Sequence, residues 1–295
     1  MRKNIIIYHR VDYDGVMSGI IAKQYYESKG IRSDYYGWNY GDPLPEISEY
    51  QQVIMVDISF PPQEMLAIKE TGKLVWIDHH QTAISDSEIN GYNDVPGVRK
   101  IGVAAVELTF GFLYPRLTAP MLIQYVGAHD VWDKDRFDWE EEVIPLQYGL
   151  KNEYGISIKE LEKGWEDICN DCDWLIDIGS YIYGWIKKTS ESWIKNCAFP
   201  VTVAGKYKGI GLITPIGGSI SFDSVLDEYD LYIVIQVRDQ GTKYSISLYK
   251  ENDRLPEFSA GQYLKDNYGG GGHQGAAGAS ITREQFEKII YYHIL

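Results

Sequence analysis

Asp78-His79-His80, three residues able to bind metals or move protons, follow directly on an apolar run, Leu74-Val75-Trp76-Ile77. The run has the length and composition of a strand buried on both faces. Open α/β sheets gather their ligands at the carboxyl ends of such strands. Two further runs end in the same way. Ile5-Ile6-Ile7-Tyr8 leads into His9, Asp12 and Asp14, and Val53-Ile54-Met55-Val56 leads into Asp57. A fourth candidate, His129-Asp130, closes the apolar segment Met121–Ala128. Each is ordinary alone: a single Asp after a strand is more often a helix cap or a loop carboxylate. His129 reads as a packing residue, and Asp133 and Asp135 compete with Asp130 from a solvated loop. Clustered together, these carboxylates and imidazoles would repel or desolvate one another without a cation. A mixed His/Asp set suits Mn²⁺ or a similar borderline ion better than Ca²⁺ or Mg²⁺ alone.

A second feature lies near the C-terminus, where Gly269-Gly270-Gly271-Gly272-His273-Gln274-Gly275-Ala276-Ala277-Gly278 runs into a strand. Consecutive glycines permit positive φ and remove side-chain obstruction, so their N–H groups can converge on an anion. A flexible linker would not carry a His and continue as Ala-Ala-Gly.

The order and separation of these motifs resemble the DHH phosphoesterase family. His9-Arg10-Val11-Asp12-Tyr13-Asp14-Gly15, Asp57, Asp78-His79-His80 and Asp130 are similar to its four motifs, and the glycine loop is similar to the GGGHxxAAG signature of the DHHA1 substrate domain. The resemblance implies two divalent ions, Mn²⁺ first, with Mg²⁺ or Co²⁺ as substitutes. It assigns His9, Asp12 and Asp57 to one ion, and Asp14, Asp57, His79 and Asp130 to the other, with Asp57 shared. His80 would face the substrate phosphate as the catalytic residue, Asp78 would orient an imidazole, and Gly270, Gly271, Gly272 and His273 would contact substrate. The chain departs from the family twice. His9 and Asp12 are separated by two residues where the oligoribonuclease and cyclic-dinucleotide branches usually have three. Tyr249 stands where many relatives have an Arg; it could stack on a base, with Lys250, Arg238 or Arg254 supplying charge, or be ordinary sheet surface.

The elements that must position these residues alternate. Strands are expected at Asn4–Tyr8, Ile31–Gly37, Val53–Val56 and Leu74–Ile77. Helices are expected at Val16–Ser28, Pro61–Glu70, Val103–Leu113 and Ala119–Ala128. This is the pattern of a parallel sheet with helices on both faces. Ile156–Trp193 reads as mostly helical, after which strands dominate (Val201–Ala204, Gly209–Ile213, Leu231–Val237, Tyr244–Tyr249), with helices at Ser259–Asp266 and Arg283–Tyr292. The expected organisation is an α/β chain of two domains. Residues 1–190 form the metal-binding DHH domain, 191–199 a linker, and 200–295 a smaller α/β DHHA1 domain, with substrate in the cleft between them.

The chain has 295 residues and a formal net charge of −14. An acidic surface disfavours long nucleic acid, which is held by many Lys and Arg phosphate contacts. It leaves short oligonucleotides open, because bound metals supply positive charge locally. Three cysteines do not make a disulfide framework, and Cys169-Asn170-Asp171-Cys172 lacks a fourth zinc ligand. No run approaches the roughly 18 apolar residues of a membrane helix, and none near the N-terminus has the length of a signal-peptide core. A cytoplasmic protein with no membrane partner is expected. The resemblance implies a phosphodiesterase or phosphatase acting on nanoRNA, linear dinucleotides or 3′-phosphoadenosine 5′-phosphate; relatives are often dimers. The alternatives are degradation of a cyclic (di)nucleotide signal and, from another class, a non-catalytic nucleotide-binding protein. A processive RecJ-like exonuclease and a pyrophosphatase fit less well, since they carry other domains.

Overall fold

A computed structural model describes residues 3–215, 218–251 and 254–295. The chain divides into two compact units, Met1–Tyr183 and Gly184–Leu295.

The first unit begins β1 (Asn4–His9), α1 (Tyr13–Ser28), β2 (Ser33–Trp38), β3 (Val53–Val56), α2 (Pro62–Glu70), β4 (Leu74–Ile77) and α3 (Gln81–Asn90). It continues with α4 (Ala105–Leu113), α5 (Met121–Asp130), a π-helical turn at Trp139–Val143, α6 (Ile144–Glu153), α7 (Ile158–Asn170) and the first part of α8 (Asp173–Cys197). The sheet order is β2-β1-β3-β4 and every pairing is parallel. Successive strand side chains alternate between faces, and both faces are apolar. Ile6, Tyr8, Ile54, Val56, Val75 and Ile77 pack with α1, α4, α5 and α7 on one side. Ile5, Ile7, Val53, Met55, Leu74 and Trp76 pack with α2 and α3 on the other. Each such buried aliphatic side chain contributes about 1.5–3 kcal/mol, so the strand ends are held by a rigid two-sided core.

The strand order reverses between β1 and β3. β1 connects to β2 on one side and β3 to β4 on the other, so the loops after β1 and β3 leave in opposite directions. This is the switch point at which open α/β sheets form their crevice, and His9 and Asp57 close its two strands.

α1 starts three residues before the apolar periodicity, because Asp12 caps it: the Asp12 side chain accepts from the Gly15 N–H at 2.9 Å. Gly15 is required there, since a Cβ would overlap the carbonyl oxygen and Cβ of His9.

The second unit is a six-stranded sheet of order β5-β6-β7-β8-β10-β9. Its elements are β5 (Phe199–Val203), β6 (Tyr207–Ile213), β7 (Leu231–Arg238), β8 (Lys243–Tyr249), α9 (Ala260–Tyr268), β9 (Gly271–Gly272), β10 (Ala276–Ile281) and α10 (Arg283–Tyr292). Among the described residues only β6 and β7 pair in parallel in this sheet. The linker expected at 191–199 is replaced by the last turns of α8 and the start of β5. The apolar stripe of α8 continues through Trp193 and Ile194, which pack on Ile210, Leu212, Tyr232 and Val234; this keeps the helix going. α3 and α6 lack a strong apolar period, and the sequence pattern does not mark them as helices.

Gly15→Ala should destabilise the first unit by roughly 1–3 kcal/mol, as overpacking against rigid backbone does. Urea unfolding measures this; an unchanged midpoint would contradict the close approach of α1 to β1.

Candidate metal centre

His9, Asp12, Asp14, Asp57, Asp78, His79 and His80 converge on the carboxyl ends of β1, β3 and β4, and Asp130 joins them from the end of α5. His9 Nδ1 lies 2.7 Å from Asp12 Oδ2 and 3.4 Å from Asp57 Oδ2. His79 Nε2 lies 3.3 Å from Asp57 Oδ1, 3.3 Å from Asp130 Oδ2 and 3.4 Å from Asp14 Oδ2. Ligand atoms of His9, Asp12 and Asp57 fall within 4.8 Å of one another, and so do those of Asp14, Asp57 and His79. Asp57 belongs to both sets. His9 Nδ1, Asp57 Oδ1 and Asp130 Oδ2 are buried and meet only other charged side chains of the cluster. Ionisable groups this costly to bury, facing common points from several elements, have the donor chemistry of a divalent-cation site. The residues present therefore fit the ions that the motifs imply.

The backbone delivers each group by a local device. Asp57 takes a left-handed conformation at φ +59° as β3 ends, while its N–H still donates to the Ile77 carbonyl at 2.9 Å. A non-glycine residue pays roughly 1–2 kcal/mol for this, and the gain is a carboxylate turned into the cluster. Asp14 is nearly inaccessible and accepts from the Ala105 and Val106 N–H groups at 2.9 and 2.6 Å. It thereby caps α4, which has no side-chain cap of its own. Asp78 is fully buried and accepts from the backbone of His79 and His80 and from Trp76 Nε1. Its Oδ1 also lies 2.7 Å from His80 Nδ1. Ligand atoms of Asp57, Asp78 and His80 form an equally tight third set, but Asp78 is occupied in holding the imidazole.

Protonation follows from crowding. Burial and the charges of Asp130 and Asp57 push the Asp14 carboxyl well above the usual range. Burial, with Asp57 and Asp12 adding, pushes Asp130 up to about 7 against the pull of His79 and His80. Asp57 goes the other way: burial opposes it, yet His79, His9 and His80 hold it well below the ordinary carboxylate range. Burial would lower His9 and His79, but neighbouring carboxylates overcome it and raise each to about 11. His80 is raised too, with Asp78 outweighing burial.

His129 is not drawn into the cluster. Its ring stacks on Trp139 at 5.8 Å and meets Trp132 edge-on at 6.0 Å, and burial lowers it to about 4. It is Asp130, rather than Asp133 or Asp135, whose carboxylate is within reach of His79. Cys169 and Cys172 are free, and burial pushes their thiols up to about 12 and about 11, away from redox or ligand chemistry. Asn39 gives no sequence signal, being one more loop asparagine; its Oδ1 lies 3.3 Å from His9 Nε2.

In the second unit the glycine loop is a tight hairpin. The N–H groups of Gly269 and Gly270 donate to Lys265 and Leu264, and that of His273 to Ala276. These three are therefore not available for the anion nest that four glycines would permit. Close packing requires two of the glycines: a Cβ at Gly270 would overlap the Gly278 carbonyl, and Gly272 sits at φ +143°. His273 is exposed at the turn and Tyr249 is half-buried on the sheet. Lys250 and Arg254, weighed as substrate cations, donate to loop carbonyls of Arg254, Leu255, Leu226 and Tyr229.

The signs of these shifts predict how ion binding depends on pH. His9 and His79 are raised above their unfolded value. In the ion-free chain their stabilisation is complete below about pH 6.5 and lost as pH rises through about 11. A cation must displace those protons and that of Asp130. Mn²⁺ affinity should therefore rise from about pH 6 to about pH 8 with release of at least one proton, measured by calorimetry in buffers of different ionisation enthalpy. Affinity independent of pH, without proton release, would contradict the assignment.

A scan against protein-family models and a search of curated proteins both give no match. Solved structures do match. The pGpG-specific phosphodiesterase PggH of Vibrio cholerae aligns with a TM-score of 0.56 at 15% identity, over 99% of this chain and 97% of its own. RecJ of Thermus thermophilus, solved with Mn²⁺, aligns at 0.56 and 14% identity, over 98% of this chain but 51% of RecJ. A DHH domain described as belonging to a member of the s1p family of ribosomal proteins aligns at 0.53 and 15% identity, over 98% of this chain and 85% of its own. At such identities the likeness is one of architecture, and the chain has the fold of DHH-domain proteins.

Proposed function

We propose that the chain is a divalent-metal-dependent phosphodiesterase or phosphatase hydrolysing short linear nucleotides, with Mn²⁺ as the preferred ion. The observation that carries this reading is the pair of ligand sets sharing Asp57, with buried donor atoms in both. In it His9, Asp12 and Asp57 hold one ion, and Asp14, Asp57, His79 and Asp130 hold the other. The bound pair would supply acidity to a water molecule and positive charge against the phosphate.

The chain's own groups do the rest. Asp78 favours the imidazolium form of His80 and fixes its ring, so His80 is placed to donate a proton to the leaving oxygen or to a phosphate oxygen. Asp57, common to both sets, would help to hold both ions. We assign substrate contact to His273, the remaining backbone of the Gly270–Gly272 hairpin and Tyr249. Short linear substrates, namely nanoRNA, linear dinucleotides and 3′-phosphoadenosine 5′-phosphate, are favoured for two reasons. The net charge of −14 opposes a long polyanion, and one neighbour that this chain covers almost end to end is described as specific for pGpG.

A Mn²⁺-dependent turnover panel tests this: labelled RNA of a few nucleotides, pGpG, 3′-phosphoadenosine 5′-phosphate, a cyclic dinucleotide and a long single strand. Short linear substrates should be cleaved fastest and Asp57→Ala should fall to background. His80→Ala should lower kcat by roughly 10²–10⁴-fold, the usual contribution of a general acid, with Mn²⁺ binding retained; His273→Ala should raise KM. Faster cleavage of the cyclic compound would move the protein to signal degradation. Tight nucleotide binding with no turnover would leave a binding protein and overturn the enzymatic reading.

A further inference from the structure

We propose that Asn39 is a positioning residue that sets the tautomer of His9 and thereby selects Nδ1 as the ring nitrogen that meets the metal. The inference rests on the metal-centre reading above and adds a residue to it.

Asn39 Oδ1 accepts from the backbone N–H of Tyr40 at 2.9 Å. A backbone N–H has nothing but a proton to offer, so the atom it meets must be the amide oxygen; this settles which way the Asn39 amide faces. The same oxygen lies 3.3 Å from His9 Nε2. Two acceptors cannot face each other, so Nε2 must carry a hydrogen. In the metal-holding state of His9, with one proton on the ring, the lone pair is then on Nδ1. That nitrogen is the buried one that faces the cluster, 2.7 Å from Asp12 Oδ2 and 3.4 Å from Asp57 Oδ2. Binding a cation at Nδ1 removes the proton there and leaves the one on Nε2 with Asn39. Ligating imidazoles are commonly set in this way by a partner on the other nitrogen.

The turn that carries Asn39 is tied back to His9. Asn39 N–H donates to Asp42 Oδ2 at 2.8 Å, and Asp42 accepts from Arg10 Nε and Nη2, each at 3.0 Å. Trp38 Nε1 donates to the Asp42 carbonyl at 3.2 Å. Arg10 is the residue after His9, so the end of β1 and the turn after β2 move as one piece. Only two residues separate His9 from Asp12, which limits how far that loop can adjust the ring. The brace from β2 supplies the orientation from outside the loop.

Two variants and one spectrum test this. Asn39→Asp keeps an acceptor for both Tyr40 and His9; Asn39→Ala removes it. Calorimetry should give the tighter Mn²⁺ step of Asn39→Asp equal to or stronger than that of the unmodified chain. The same step in Asn39→Ala should weaken by roughly 10–100-fold, the usual cost of losing such a partner. Nitrogen-15 spectra of the diamagnetic Zn²⁺ form should show His9 bound through Nδ1 and protonated on Nε2. Equal affinity in all three proteins, Asn39→Asp as weak as Asn39→Ala, or His9 bound through Nε2 would overturn the proposal while leaving the metal centre standing. If Asn39→Ala fails to fold, the spectrum of the unmodified chain decides by the same criterion. Absence of any Mn²⁺ or Zn²⁺ binding by the unmodified chain would overturn the metal centre itself, and this proposal with it.

Discussion

Negative charge held out of water is the constraint on which the first unit turns. Asp12, Asp14, Asp57 and Asp130 crowd the end of one sheet. Two unit charges about 4 Å apart interact by about 4 kcal/mol at an effective dielectric of about 20. Repulsion on that scale can be relieved by protons or by cations. The raised Asp14 and Asp130 carboxyls and the raised His9 and His79 imidazoles are the protonic form of that relief. Divalent ions would be the other form.

The fold tolerates this arrangement because the same carboxylates are structural. Asp12 caps α1 through one oxygen and faces His9 with the other. Asp14 caps α4, and Asp78 closes the turn after β4 while holding His80. Helix N-termini present unpaired N–H groups and a partial positive charge, which offset part of the cost of burying an anion. Folding the sheet and assembling the site are therefore largely the same set of bonds. Asp57 differs, since it is held by strand geometry and by imidazoles. It is also the residue common to both ligand sets, and the site's backbone strain is concentrated there.

Much of this was legible in the sequence because apolar runs are local signals. Leu74–Ile77 and Val53–Val56 were readable as strands to the residue, and the polar residue after each run marked the site. The convergence of Asp130 was harder, since a helix end has to travel through α4 and α5 to reach β4; position in a motif, not chemistry, pointed to it. Asn39 and the Arg10–Asp42 pair were not legible, because their role depends on β2 lying beside β1, a long-range fact. The boundary near 190–200 was displaced for a similar reason. Composition shifts there, but the apolar stripe of α8 does not break, so the helix runs across the division between units. At the glycine loop the composition pointed to an anion nest, while the close strand and helix packing of Gly270 and Gly272 depends on contacts that the sequence does not show.

The most direct measurement is an anomalous difference map at the manganese edge from a crystal of the chain soaked in Mn²⁺. Two peaks are predicted, both within ligand distance of Asp57, one also touching His9 and Asp12, the other Asp14, His79 and Asp130. No peak at Asp57, or Mn²⁺ bound only elsewhere on the acidic surface, would contradict the account.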